Sequence, residues 1–276
     1  MTSYVAALGA VASRFVEGQR QRLRLANFDR FLIRPSDVVT LVSGGRTDKA
    51  LDALRLNHGD RAAFDRLYAE NDDPWDLADP ANKYQQRKYR TLFSLLPKGR
   101  RFETVLDGGC GIGCFTRTLA DGAGHVVGID LSASAIERAR RAHADLANVE
   151  FLATDMFNLP PAMDGQFDLI VLADILYYCP PGERPEAIAR RMMKLLRPGG
   201  CCAIVNHHCL WDQPTRASKR IYAAFQTCPG AELVLRHWAP FFLVTILRNA
   251  DGAIPVANTD ARPEPLPEST FRARTE

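Results

Sequence analysis

Chemistry concentrates in Val105-Leu106-Asp107-Gly108-Gly109-Cys110-Gly111-Ile112-Gly113, where an apolar run ends in an aspartate and a glycine-crowded turn. Glycine has no Cβ, so backbone in such a turn can lie directly against a ligand. This is a nucleotide-type cradle. A dinucleotide fingerprint needs G-x-G-x-x-G, but from Gly109 the sixth position is Cys114, and from Gly111 it is Thr116. No Gly-Lys-Ser or Gly-Lys-Thr follows, so phosphate binding is disfavoured.

Two more acids end later apolar runs. Asp130 follows Val127-Gly128-Ile129 and precedes Leu131, and Asp155 is followed by Met156. A carboxylate accepts two hydroxyl hydrogen bonds more strongly than a neutral oxygen does. Taken singly, Asp107 or Asp130 could equally cap a turn or the following helix. Further on, Asp174 follows five apolar residues, and His207-His208 closes another apolar run. These are the candidate general bases, because ligands of open α/β sheets bind at the carboxyl ends of strands. Successive residues leaving a strand point to opposite sides, so at most one of the two histidines faces the cleft. Cys201 and Cys202 are separated by the same rule, and with His207, His208 and Cys209 they lack a zinc-knuckle spacing, so no metal is expected.

The elements that must position these groups alternate between short apolar runs and helical stretches, the pattern of a parallel sheet built from βαβ units. Strands are expected at 103–106, 125–129, 149–153, 167–173 and 200–205, with helices at 114–121, 133–143 and 183–196. Pro198-Gly199-Gly200 ends the last of these helices. Residues 232–238 and 242–247 are strand-like and separated by three residues, too few for a crossover, so this pair is antiparallel. Residues 1–70 read as an arginine-bearing helical extension, 71–249 as the functional domain and 250–276 as a disordered, proline-rich tail.

The chain has 276 residues, 46% hydrophobic and 24% charged, as in ordinary globular proteins. Its 35 basic and 32 acidic residues are too balanced to imply a nucleic-acid partner. Seven cysteines without a CxxC read as reduced thiols in a cytoplasmic protein. No export signal and no membrane span are expected.

The turn Asp107-Gly108-Gly109-Cys110-Gly111-Ile112-Gly113, with Asp130 and Asp155 in order behind it, resembles the class I S-adenosylmethionine-dependent methyltransferases. The match covers roughly residues 100–249 and includes Leu195-Leu196-Arg197-Pro198-Gly199-Gly200. The resemblance implies a Rossmann-like α/β fold with helices on both faces and a seven-stranded sheet in order 3-2-1-4-5-7-6, strand 7 antiparallel. It also implies S-adenosylmethionine as cofactor, held by Asp107, Gly108, Gly109, Gly111, Gly113, Asp130, Leu131, Asp155 and Met156. In that family the acid matching Asp130 takes the ribose hydroxyls, and the one matching Asp155 takes the adenine amino group. Strand 4 lacks the Asn-Pro-Pro-Tyr type of ending that related enzymes use on planar amide or base nitrogens.

Asp73-Pro74-Trp75, Tyr84-Gln85-Gln86-Arg87-Lys88-Tyr89 and Ala173-Asp174-Ile175-Leu176-Tyr177-Tyr178 are similar to the NodS family, which N-methylates a deacetylated glucosamine. That similarity implies a helical lid over about 73–89, with Trp75, Tyr84 and Arg87 over the cofactor and Arg87 pairing with its carboxylate. It implies an amine acceptor on a small polar molecule such as an amino sugar, with Asp174 or His207 as catalytic group. Tyr84, Arg87 and Lys88 also fit an ordinary amphipathic helix. Three alternatives stay open: a hydroxyl acceptor, an RNA acceptor bound through the arginine-rich first segment, and a cofactor-binding protein with a blocked acceptor cleft.

Overall fold

The structure is a computed structural model that describes residues 35–97, 101–178, 185–207, 216–239 and 241–250. The arginine-rich stretch before residue 35, His208 and the proline-rich segment beyond residue 250 lie outside the described residues.

Three helices precede the sheet: α1 (Pro35–His58), α2 (Asp60–Glu70) and α3 (Lys83–Leu95). The sheet then alternates with helices: β1 (Phe102–Gly108), α4 (Cys114–Ala120), β2 (Ala123–Asp130), α5 (Ala133–Ala142), β3 (Val149–Ala153), β4 (Phe167–Ala173), α6 (Pro185–Leu195) and β5 (Leu196–His207). It closes with α7 (Arg216–Gln226), β6 (Ala231–Trp238) and β7 (Phe242–Asn249). The seven strands lie in the order β3-β2-β1-β4-β5-β7-β6. The pairs among β1 to β5 are parallel, and β7 runs antiparallel to both of its neighbours. The topology is the one the resemblance implied, and the tight connection between β6 and β7 is the hairpin read from the short turn.

Each central strand feeds two cores. Leu106, Ile170, Leu172, Cys202 and Ile204 join the cluster that α6 and α7 cover. Their neighbours Val105, Leu169, Val171, Cys201 and Ala203 join the opposite cluster, with Tyr84, Tyr89 and Leu92 of α3 and Phe115 of α4. Burial on both faces explains why β4 reads as a continuous apolar run from Leu169 to Ala173 rather than an alternation. Cys201 and Cys202 therefore face opposite layers.

The helix starts are set by local caps. Asn82 Oδ1 accepts from Gln85 N at 3.0 Å at the start of α3, and Ser132 Oγ from Ala135 N at 3.1 Å at the start of α5. The first of these caps changes one expectation, because the helix over 73–89 begins only at Lys83. Residues 71–82 form turns instead: Asp73 Oδ2 accepts from Ala78 N at 2.7 Å and Asp79 Oδ1 from Ala81 N at 2.8 Å. The fifth strand starts earlier than read, at Leu196, which pairs with Phe167 ahead of a register shift. Among the described residues no helix is long and apolar enough to cross a membrane.

Candidate active site

A cavity of about 580 Å³ opens at the carboxyl ends of the strands, with α1, α2 and α3 forming its far side. That volume is ample for a cofactor-sized ligand. Its floor is the turn after β1, where Gly109 and Gly111 have φ of 70° and 54°, the left-handed region that favours glycine. A Cβ on Gly109 would come within 2.1 Å of the Ile175 side chain, and one on Gly111 within 2.7 Å of the Tyr68 hydroxyl. Backbone therefore forms the surface here. Gly108 ends β1 and Gly113 precedes α4; neither lines the cavity, and both allow close packing behind it.

Asp107, Asp130, Leu131, Asp155 and Met156 all line the cavity. Asp130 Oδ2 accepts from Gly111 N at 2.9 Å and Oδ1 from Ser132 N at 2.9 Å, so one carboxylate ties the glycine turn to the start of α5. Ser132, not Asp130, is the helix cap. Burial raises the Asp130 carboxyl above its ordinary range against the lowering effect of these N–H donors. Asp107 is buried under the turn and accepts from Thr116 Oγ1 at 2.6 Å. Burial pushes its pKa to about 7, the Thr116 hydroxyl opposes that, and nearby Asp130 adds to it. Asp155 Oδ1 accepts from Phe157 N at 2.7 Å and Asn158 N at 2.9 Å, so it also shapes the turn after β3.

The wall beyond the β4 and β5 ends is a connected polar chain. Asp174 has φ of 57°, and its carboxylate accepts from His207 N at 2.6 Å through Oδ1 and from the Lys88 ammonium through Oδ2. Tyr84 Oη lies 3.3 Å from His207 Nδ1 and donates to the Phe241 carbonyl at 3.3 Å. Tyr84, Lys88, Asp174 and His207 all line the cavity. Arg87, expected there, does not; Lys88, the next residue, takes its place. One helical residue is a rotation of about 100°, which carries Arg87 off the buried stripe of Tyr84, Lys88 and Leu92.

The remaining wall comes from the helical extension. Asp48 and Thr47 of α1 hold the turn that carries Trp75: Thr47 Oγ1 donates to Pro74 O at 2.7 Å and Trp75 Nε1 to Asp48 Oδ1 at 3.1 Å. Arg55 donates to Tyr178 O at 3.0 Å, and Arg61 of α2 donates to Leu131 O at 3.1 Å. Phe64, Tyr68, Trp75 and Tyr178 cluster with ring centroids 5.7 to 6.4 Å apart. Asp48, Phe64 and Tyr68 carried no sequence signal, because nothing local to them shows which distant turn they meet.

Residues 105–200 match a family model described as a methyltransferase domain. The chain is 36% identical over 157 residues to a probable thiol methyltransferase 2 of Arabidopsis thaliana, covering 51% of this chain and 64% of the relative. It is 29% identical over 129 residues to nodulation protein S of Rhizobium tropici, covering 47% of this chain and 52% of the relative. The matches thus span about half to two thirds of these relatives' own length. Among solved structures, the N-methyltransferase NodS of Bradyrhizobium japonicum WM9, in complex with S-adenosyl-L-homocysteine, superposes with a TM-score of 0.57. It is 22% identical, with 74% of this chain and 97% of that one covered, and this likeness supports the fold.

Proposed function

We propose that this chain, a class I methyltransferase in fold and in its matched domain, methylates an amine on a small polar acceptor, an amino sugar or related metabolite, using S-adenosylmethionine. The observation that carries the reading is the buried Asp130 carboxylate, tied to a glycine turn that no side chain could occupy. The residues fit the cofactor. Gly109 and Gly111 offer bare backbone, Asp130 would take the ribose hydroxyls, and Asp155 with Met156 would take the adenine, as the resemblance implies. Bound there, the cofactor supplies an electrophilic methyl group on a positively charged sulfur that leaves as a neutral thioether.

The protein's own work is then alignment and exclusion of water. Trp75 and Tyr84 cover the cavity, and from α3 it is Lys88 rather than Arg87 that lines it. Asp174, fixed by Lys88 and by the His207 N–H, orients the acceptor from the opposite wall, and His207, held by Tyr84, stands beside it. An amine needs only a neutral nitrogen aimed at the methyl group, so this already-engaged carboxylate suits positioning. A thiol acceptor is the second reading, supported by the relationship to the plant thiol methyltransferase.

Methyl-labelled cofactor screened against small amines, amino sugars, hydroxyl compounds and thiols tests the reading. Calorimetry with S-adenosylhomocysteine on wild type and Asp130→Ala tests the cofactor site. Loss of charge-assisted hydrogen bonds, each worth about 1.5–3 kcal/mol, should weaken binding roughly 10- to 100-fold. Unchanged affinity would sink the cofactor assignment, and turnover confined to thiols or hydroxyls would sink the amine.

A further inference from the structure

Asp48 lines the cavity from α1, yet holding the cofactor requires nothing of it. Its Oδ1 accepts from Trp75 Nε1 at 3.1 Å and from Tyr178 Oη at 2.6 Å. Among the described residues no donor reaches Oδ2. The Trp75 and Tyr178 rings are 6.0 Å apart, and Phe64 lies 6.4 and 5.7 Å from them. Of the other carboxylates at the cavity, Asp174 pairs with Lys88 and Asp60 with Arg55, while Asp107, Asp130 and Asp155 stand at the ends of β1, β2 and β3 rather than on the helical extension. Asp48 is held by the neutral donors of Trp75 and Tyr178, and among the described residues no cation pairs with it.

Aromatic faces attract a positive charge through their quadrupole, and a carboxylate accepts its N–H donors. We infer that Asp48, with Phe64, Trp75 and Tyr178, is the specificity-determining subsite that selects acceptors carrying a protonated amine. The inference rests on the amine reading above and assigns its recognition to the helical extension. Methylation needs the neutral form, so one proton leaves the nitrogen for water before reaction, and Asp48 then holds the remaining N–H.

Matched pairs that differ only in the charged group decide it: glucosamine against glucose, and tyramine against tyrosol, followed by ligand-observed NMR titration at pH 7.5 with S-adenosylhomocysteine present. Wild type should favour the amine by about tenfold or more in at least one pair, the ratio that one charge-assisted hydrogen bond supplies. Asp48→Asn keeps the oxygen that Trp75 and Tyr178 donate to, so the fold is preserved, which a melting curve checks. In that variant the preference should shrink to within about threefold. No preference in either wild-type pair, or a preference that survives Asp48→Asn, overturns the inference. S-adenosylhomocysteine affinity is read separately by calorimetry. If wild type fails to bind it while the amine preference persists and is lost in Asp48→Asn, the cofactor assignment falls and the Asp48 subsite stands.

Discussion

Replacing Lys88 by Met removes the ammonium that faces Asp174 while keeping most of the side chain's apolar length. The two side chains are only 4% and 20% exposed, so the surviving carboxylate would sit largely out of water with one N–H donor, that of His207 at 2.6 Å. Breaking a buried pair from one side costs about 3–5 kcal/mol, whereas an exposed pair is worth about 0–1. The partial exposure of Asp174 and its remaining hydrogen bond place the expected loss near the lower end, about 3 kcal/mol. Lys88 also gives up its position over the Tyr84 ring, 5.4 Å from the centroid. Asp174→Asn is the complementary change: Asn tolerates a φ of 57° and still accepts from His207 N, but it leaves Lys88 buried without an anion. Urea unfolding of wild type, both single variants and the double variant closes the cycle. The double variant should be more stable than Asp174→Asn alone, because the stranded cation is gone, with a coupling of about 2 kcal/mol or more. If Lys88→Met is too unstable to study, that comparison still decides. A Lys88→Met loss below about 1 kcal/mol, or effects additive within about 0.5, would mean that the pair behaves as a solvated one and would refute the reasoning.

Asp107 gives a pH prediction. Its carboxyl is raised to about 7 in the folded protein, so between the ordinary carboxylate range and pH 7 the folded chain keeps a proton that the unfolded chain has lost. Stability from this group is therefore greatest at low pH and falls as pH rises toward about 7, by at most about 4 kcal/mol. Asp107→Asn retains an acceptor for Thr116 and should flatten the melting temperature between pH 5 and pH 8, and an unchanged slope would place the titration elsewhere. Hydrogen exchange offers a further check: S-adenosylhomocysteine should add protection across 73–82 and α2, whose side chains line the cavity, and identical exchange with and without it would leave them a fixed wall.

The sheet was legible because its physics is local and repeated. β4 reads as a strand from seven residues alone, and three residues between β6 and β7 forbid a crossover whatever the rest of the chain does. The floor of the cavity was legible for the same reason: Asp107, the glycine turn and Asp130 sit at strand ends, and strand ends meet at one edge of a parallel sheet. The segment 71–82 was less so, since its aspartates satisfy backbone N–H groups in turns that compete with a helix.

The rotation of α3 was legible in principle. Tyr84, Lys88 and Leu92 recur every four residues and are all buried, a stripe that places Lys88 inward and Arg87 off it. A lysine on such a stripe looks like a solvated charge until its anion is known, and Asp174 stands 86 residues away. The wall built by the helical extension is the extreme case. Asp48 meets Trp75 across 27 residues and Tyr178 across 130. No period in α1 marks it, because its contacts depend on where three separate elements converge. Strands thus announce the half of the cavity common to the fold, whereas the half that would choose an acceptor is built from long-range contacts of the helical extension. Swapping α1 and α2 for those of a relative with another acceptor should accordingly transfer selectivity while leaving the glycine turn and Asp130 intact.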